Sequence, residues 1–177
     1  CAGPWTDHVG RLLAQGGSTP WRTWLKPCKG VHIIFDLKRI PVPGAMVMSH
    51  PTDGRIAFVI PRPDMGAGVT IVGTTDGPSP EDPSKVSVET ADVDYLMGLL
   101  RSYFPTLDLK TSDILSSYAG VRPLVDPAIE GGQGGAALRK VSREHHIDAG
   151  PGGSVFVAGG KYTTYRRMAA EIVEFAL

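Results

Sequence analysis

Cysteine is nearly absent: the chain has two, Cys1 and Cys28. Two thiols do not make a disulfide framework, and no Cys/His spacing resembles a zinc site, so no metal is expected. A reduced, cytosolic setting is the simplest reading. Net charge is lacking too, with 18 basic and 18 acidic residues. A balanced chain has no field to hold nucleic acid in bulk, although a local basic pocket can still take a small anion. No apolar run approaches the roughly 18 residues of a spanning helix. The opening Cys1-Ala2-Gly3-Pro4-Trp5 has neither the basic nor the apolar region of a secretory leader. It also lacks an initiator Met, which reads as a fragment or a trimmed or processed chain.

Glycine (22) and proline (15) are plentiful and fall between short apolar runs, within a chain that is 42% hydrophobic. Such punctuation fits a strand-rich domain with many turns. Residues 9–15 read as a short helix. Trp21 and Trp24 read as packing anchors in an irregular stretch. Strand signals follow at 31–35, 45–48, 56–60 and 69–75, and Asp53-Gly54 makes the middle two a hairpin. The segment 76–85 reads as a proline-rich loop. Over 89–103 the period changes: Val93, Leu96, Leu99 and Leu100 recur at helical steps, and Pro105 ends the helix. Further strands are expected at 116–124, 141–147 and 154–158, with a glycine-rich loop over 128–137. A helix over 163–177 would bury Met168, Ile172, Val173 and Phe175. The expectation is an α+β chain with a large, mostly antiparallel sheet, packed helices and a C-terminal strand–turn–helix.

The most informative segment runs from Val155 to Arg166. It reads as strand, Gly159-Gly160 turn and helix start, with Lys161 in the turn and Thr163 or Thr164 to cap the helix. Such a turn offers backbone N–H groups at the positive end of a helix, suited to an anion or to an oxygen gaining negative charge. Arg122 lies in an otherwise apolar strand, where it either pairs or faces a pocket; its guanidinium can grip a phosphate or carboxylate through two parallel bonds. Arg143 lies on a neighbouring expected strand beside Glu144, and Arg55 follows the Asp-Gly turn. His32, in an apolar strand, reads as a satisfied core residue or as a proton acceptor. Gly73-Thr74-Thr75-Asp76 ends a strand with hydrogen-bonding side chains. From the residues alone, the reading is an anion pocket on an antiparallel sheet.

The same residues resemble the FAD-dependent glycerol-3-phosphate dehydrogenases, a branch of the D-amino-acid-oxidase-like flavoproteins. Ala2-Gly3-Pro4-Trp5-Thr6-Asp7, Lys29-Gly30-Val31-His32 and Gly54 to Pro61 look like three successive family segments. Gly73-Thr74-Thr75-Asp76, Ala119 to Leu124, Ser142-Arg143-Glu144-His145 and Gly159 to Arg166 follow in the same order. The resemblance covers nearly the whole chain. It departs at Cys1, where alanine is usual, and at Tyr162, where leucine is usual. The G-x-G-x-x-G fingerprint that the family carries near its N-terminus does not occur; Gly131-Gly132-Gln133-Gly134-Gly135 has no strand–turn–helix setting.

The resemblance implies FAD as cofactor in the complete protein and an antiparallel-sheet substrate domain. In that scheme residues 1–30 are the edge of the FAD domain, 31–150 the substrate-binding sheet and 151–177 a return to the flavin. Ala2, Gly3, Pro4 and Trp5 would lie against the flavin. Gly159, Gly160, Lys161, Tyr162 and Thr163 would face its N1–C2=O edge. Arg122 and Lys161 would hold glycerol 3-phosphate, with Arg55 and Arg143 as further phosphate ligands and His32 as the base. Implied partners are the missing N-terminal FAD-binding half and a quinone, at the cytoplasmic face of the membrane. With that half missing, the chain alone is expected to hold little FAD and to be inactive. A glycerol-3-phosphate oxidase, another amine- or amino-acid-oxidase-like flavoenzyme and a non-catalytic anion- or partner-binding module remain as alternatives.

Overall fold

The computed structural model describes residues 2–17, 20–130 and 143–177. In chain order these form α1 (Thr6–Ala14), β1 (Cys28–Asp36), β2 (Met46–Ser49), β3 (Ile56–Arg62), β4 (Val69–Gly73) and β5 (Gly77–Pro78). There follow α2 (Thr90–Tyr103), β6 (Ile114–Arg122), β7 (His145–Ala149), β8 (Val155–Gly159) and α3 (Tyr165–Ala176). The chain is α+β, as its periodicities predict. It divides into two compact units: Cys1–Cys28, Pro78–Ser84 and Val121–Leu177 make one, Lys29–Gly77 and Lys85–Gly120 the other. The segments expected from sequence, 1–30, 31–150 and 151–177, and these two units partition the chain differently.

The sheet of the second unit has the order β2-β3-β4-β1-β5, with β6 also on β1. The β2–β3, β3–β4 and β1–β4 pairs are antiparallel. β1 shows why this sheet has two unlike faces. Side chains alternate along a strand, so Val31, Ile33 and Phe35 point one way and are fully buried. They pack against Leu96, Met97, Leu99 and Leu100 of α2, together with Val59 and Val72. α2 begins where the Asp92 carboxylate accepts the Glu89 N–H at 3.0 Å. It stops at Phe104, before Pro105, which cannot continue a helix. Truncating Leu96 to Ala would open a cavity costing about 2–5 kcal/mol.

The opposite face is open. Register aligns Val47, Phe58, Gly73 and His32 in one row and Ile60, Ile71 and Ile34 in the next. Val47, Ile56 and Phe58 are 66%, 51% and 41% exposed.

The first unit has its own small core of Trp24, Leu25, Val125, Phe156 and Ala158, flanked by Val9, Trp21 and Ile129. Both tryptophans are therefore packing anchors. Residues 24–26 run beside 124–126: Leu25 and Val125 form an antiparallel bridge. The Lys26 N–H donates to Leu124 O and the Asp126 N–H to Trp24 O, both at 2.8 Å. β7 and β8 form an antiparallel hairpin.

Several sequence expectations shift. Of the strand expected at 141–147, residues 141–142 lie outside the described residues, and the described part pairs with β8 from His145 onward as β7, His145–Ala149. The loop expected at 128–137 starts in the turn Pro127–Glu130, and its remainder lies outside the described residues, as does the Gly131–Gly135 stretch. The loop over 76–85 contains β5. In α3 only part of the expected apolar face is covered: Met168 and Ile172 are half-buried, whereas Val173 and Phe175 are 57% and 48% exposed.

Candidate functional site

In the second unit, His32 occupies the open face and not the core, because strand parity turns it away from Val31 and Ile33. Its ring stacks on Tyr118 of β6, with centroids 4.8 Å apart and planes 7° from parallel. Its cross-strand partner on β4 is Gly73. A Cβ at Gly73 would lie 2.2 Å from His32 Cδ2, so the imidazole uses the space that the glycine leaves. A half-buried imidazole on an open face can exchange a proton with a ligand placed there.

Arg55, at the turn end of the hairpin, is half tied down. Its Nε meets Asp53 Oδ2 at 3.1 Å and its Nη1 donates to the Asp76 carbonyl. The Asp53 carboxylate also accepts the Arg55 N–H at 3.0 Å and the Tyr95 hydroxyl at 2.9 Å. Burial raises the Asp53 pKa, but the Arg55 N–H and Tyr95 hydroxyl bonds, with the Arg55 and His50 charges, hold it below the usual carboxylate range. The Tyr95 hydroxyl is held well above its ordinary value by burial and by the Asp53 carboxylate. Arg55 Nη2 makes no bond among the described residues, which leaves one edge of the guanidinium for an anion.

The first unit contains the glycine turn. Gly159 and Gly160 both have positive φ, 74° and 78°, and this left-handed backbone suits glycine. Each is also closely packed: a Cβ at Gly159 would lie 2.4 Å from Glu144 O, and one at Gly160 2.5 Å from Met168. The Gly159 N–H donates to Pro123 O and the Gly160 N–H to Glu144 O, both at 3.2 Å. Three segments thus meet at one junction. Arg122 precedes Pro123, Arg143 precedes Glu144 and Lys161 follows Gly160, so the junction joins the backbone neighbours of three cations that stand far apart along the chain.

Beyond the turn, a 3-10 turn over Tyr162–Thr164 leads into α3. The backbone N–H groups of Lys161, Tyr162 and Thr163 have no acceptor among the described residues. Thr164 stands at the N-cap position of α3, one of the two residues expected there from sequence, but its hydroxyl makes no capping bond to the helix. Lys161 is the N-cap of the turn, and the Thr164 hydroxyl donates back to the Lys161 carbonyl at 3.0 Å. Lys161 and Thr163 are exposed, and Tyr162 is 91% exposed and stacked on Tyr165.

Arg122 ends β6, half-buried, with Nη1 3.8 Å from Cys28 Sγ. Arg143 is exposed and stands ahead of β7, not on a strand as expected. Ala2 precedes a 3-10 turn over Gly3–Trp5, in which Gly3 has φ 54°. Trp5 is 45% exposed.

Sequence reasoning missed three supports. Asp7 is buried and accepts the Trp21 Nε1–H at 2.9 Å, the Trp24 N–H at 2.8 Å and the Leu25 N–H at 3.1 Å. Tyr118 was visible only as one residue of a strand. Asp92, in the first turn of α2, pairs with Lys29. An acidic residue in the first turn of a helix was the available signal for Asp7 and Asp92. Nothing local marked Tyr118.

A family model described as "FAD dependent oxidoreductase" matches residues 1–168. The aerobic glycerol-3-phosphate dehydrogenase of Staphylococcus haemolyticus is 38% identical over 173 residues, 98% of this chain and 28% of that protein. That of Bacillus subtilis is 36% identical over 172 residues, 97% and 28% of the respective lengths. The crystal structure of glycerol-3-phosphate dehydrogenase from Bacillus halodurans complexed with FAD superposes with a TM-score of 0.76 at 31% identity. It covers 98% of this chain and 30% of that one. The chain therefore spans under a third of the length of these relatives.

Proposed function

The chain belongs to the FAD dependent oxidoreductase family, and we propose that it forms the substrate-binding part of an enzyme that oxidises sn-glycerol 3-phosphate to dihydroxyacetone phosphate. The observation that carries this reading is the junction of Pro123, Glu144 and the Gly159-Gly160 turn. It gathers the neighbours of Arg122, Arg143 and Lys161 beside backbone N–H groups that lack acceptors among the described residues.

The donor set fits a flavin edge. The N–H groups of Lys161, Tyr162 and Thr163 would hold its N1–C2=O side, where negative charge builds on reduction. Gly159 and Gly160 let the backbone adopt the turn that presents those groups, and Ala2 to Trp5 would lie against the ring. FAD, when bound, supplies a two-electron acceptor for the hydride leaving C2. Arg122 and Lys161 would bind and orient the phosphate, with Arg143 and the free edge of Arg55 as further ligands. His32 would take the proton of the C2 hydroxyl as the carbonyl forms. The chain carries no G-x-G-x-x-G turn and by itself would hold little FAD and turn over no substrate. In the complete protein, electrons would pass to a quinone at the cytoplasmic face of a membrane. No helix among the described residues is long and apolar enough to cross one.

The test joins the chain to a dinucleotide-binding half, loads FAD and assays glycerol 3-phosphate with a dye acceptor. Dye reduction is expected, and His32→Asn should lower kcat by about 10²–10⁴-fold. A flavin-loaded protein that leaves the dye oxidised refutes the reading. Peroxide release in place of dye reduction would favour the oxidase alternative.

A further inference from the structure

Behind the open face lies a buried charged network that the proposed chemistry does not use. Lys29 is 5% exposed, and its ammonium meets Asp92 Oδ2 at 2.8 Å and Glu89 Oε2 at 3.3 Å. Burial lowers the Lys29 pKa, but the hydrogen bonds and charges of Asp92 and Glu89 outweigh it and hold the group above its ordinary value. Asp92 Oδ1 accepts the Thr75 hydroxyl at 3.3 Å. Thr75 Oγ1 in turn accepts the Val31 N–H at 3.1 Å.

The position of that last bond matters. The β1–β4 ladder ends at the His32–Gly73 pair. Val31 is the first residue past it, where no β4 carbonyl continues the ladder. The Thr75 hydroxyl oxygen takes over as acceptor, and Asp92 fixes that hydroxyl by accepting its hydrogen bond. The same chain of bonds therefore sets the backbone immediately before His32 and the segment immediately after Gly73. These two elements form the floor of the imidazole, and Tyr118 stacks on its ring.

We infer that Asp92, in the first turn of α2, is a positioning residue for His32, acting through Thr75 on Val31 and through Lys29 on the start of β1. The inference rests on the reading of His32 as the base only for its functional consequence; the placement of the ring is testable without it.

The experiment uses proton NMR of the purified chain and follows the His32 ring protons, displaced by the ring current of Tyr118. Thr75→Val removes the hydroxyl and keeps the shape; Asp92→Asn removes the carboxylate. Both should abolish the Tyr118-dependent displacement and weaken the His32–Tyr118 cross-peaks. Glu89→Gln, which touches Lys29 but not Thr75, should leave the His32 signals in place. If Thr75→Val and Asp92→Asn lower the melting temperature while the His32 signals stay at wild-type positions, Asp92 is merely structural and the inference fails. If Asp92→Asn does not fold, Thr75→Val decides alone. The base reading fails separately, if His32→Asn leaves turnover of the flavin-loaded protein intact.

Discussion

Gly73 and Asp7 show how single residues carry structure around the candidate site. Replacing Gly73 by Ala would drive a methyl into the His32 ring, since the added carbon would sit 2.2 Å from Cδ2. The imidazole or the strand must move, at a cost of about 1–3 kcal/mol. Urea denaturation should show a lowered midpoint with unchanged slope, and an unchanged midpoint would mean that the ring yields freely. Asp7 is a different case, because its carboxylate serves three N–H donors at once. Asp7→Ala would leave buried donors without an acceptor and should destabilise the first unit by about 2–4 kcal/mol. The loss should be visible as a fall in the protection of the Trp24 and Leu25 amides from hydrogen exchange.

At the scale of elements, α3 is the most weakly seated of the three α-helices. It has no fully buried residue, and its Met168 and Ile172 contacts are supplemented by a polar clasp. Glu171 bonds Arg167 Nε at 2.7 Å and His145 Nε2 at 2.5 Å. Its pKa is lowered, first by the Arg167 bond and then by that to His145. A carboxyl whose folded pKa is depressed stabilises the fold above its ordinary value and loses that contribution as pH falls through the lowered one. Amide exchange across α3 should therefore quicken as pH drops below the usual glutamate range, after correction for intrinsic rates. Glu171→Gln should remove this pH dependence. The outline of the elements was legible beforehand, since α2 and the β2–β3 hairpin follow from period and turn residues. The start of β7 was not, because it depends on where β8 pairs.

At the scale of the whole molecule, the open sheet face departs from what a solvated surface requires. Val47, Ile56 and Phe58 stand exposed on it, beside the Ile60–Ile71–Ile34 row. A contiguous apolar face of this kind drives association in a chain that must carry it in water. The purified chain should self-associate at high concentration by sedimentation velocity. A Val47→Lys, Phe58→Lys double substitution should return it towards monomer while leaving its circular dichroism unchanged. A wild-type chain that stays monomeric at millimolar concentration would contradict this.

Period, turn chemistry and motif order are local properties, so the chain's letters alone were enough for its α+β class, its strand-rich first half, the α2 helix and the family to which it belongs. They also singled out His32, Arg122, Lys161 and the Gly159-Gly160 turn. They could not say that His32 faces away from the core, because that depends on which face of the sheet α2 covers. Nor could they join Pro123 to Gly159 and Glu144 to Gly160, or seat the Thr75 hydroxyl on the Val31 N–H. Those contacts link segments far apart in the chain, and a hydrogen bond between distant segments leaves no trace in the spacing of either.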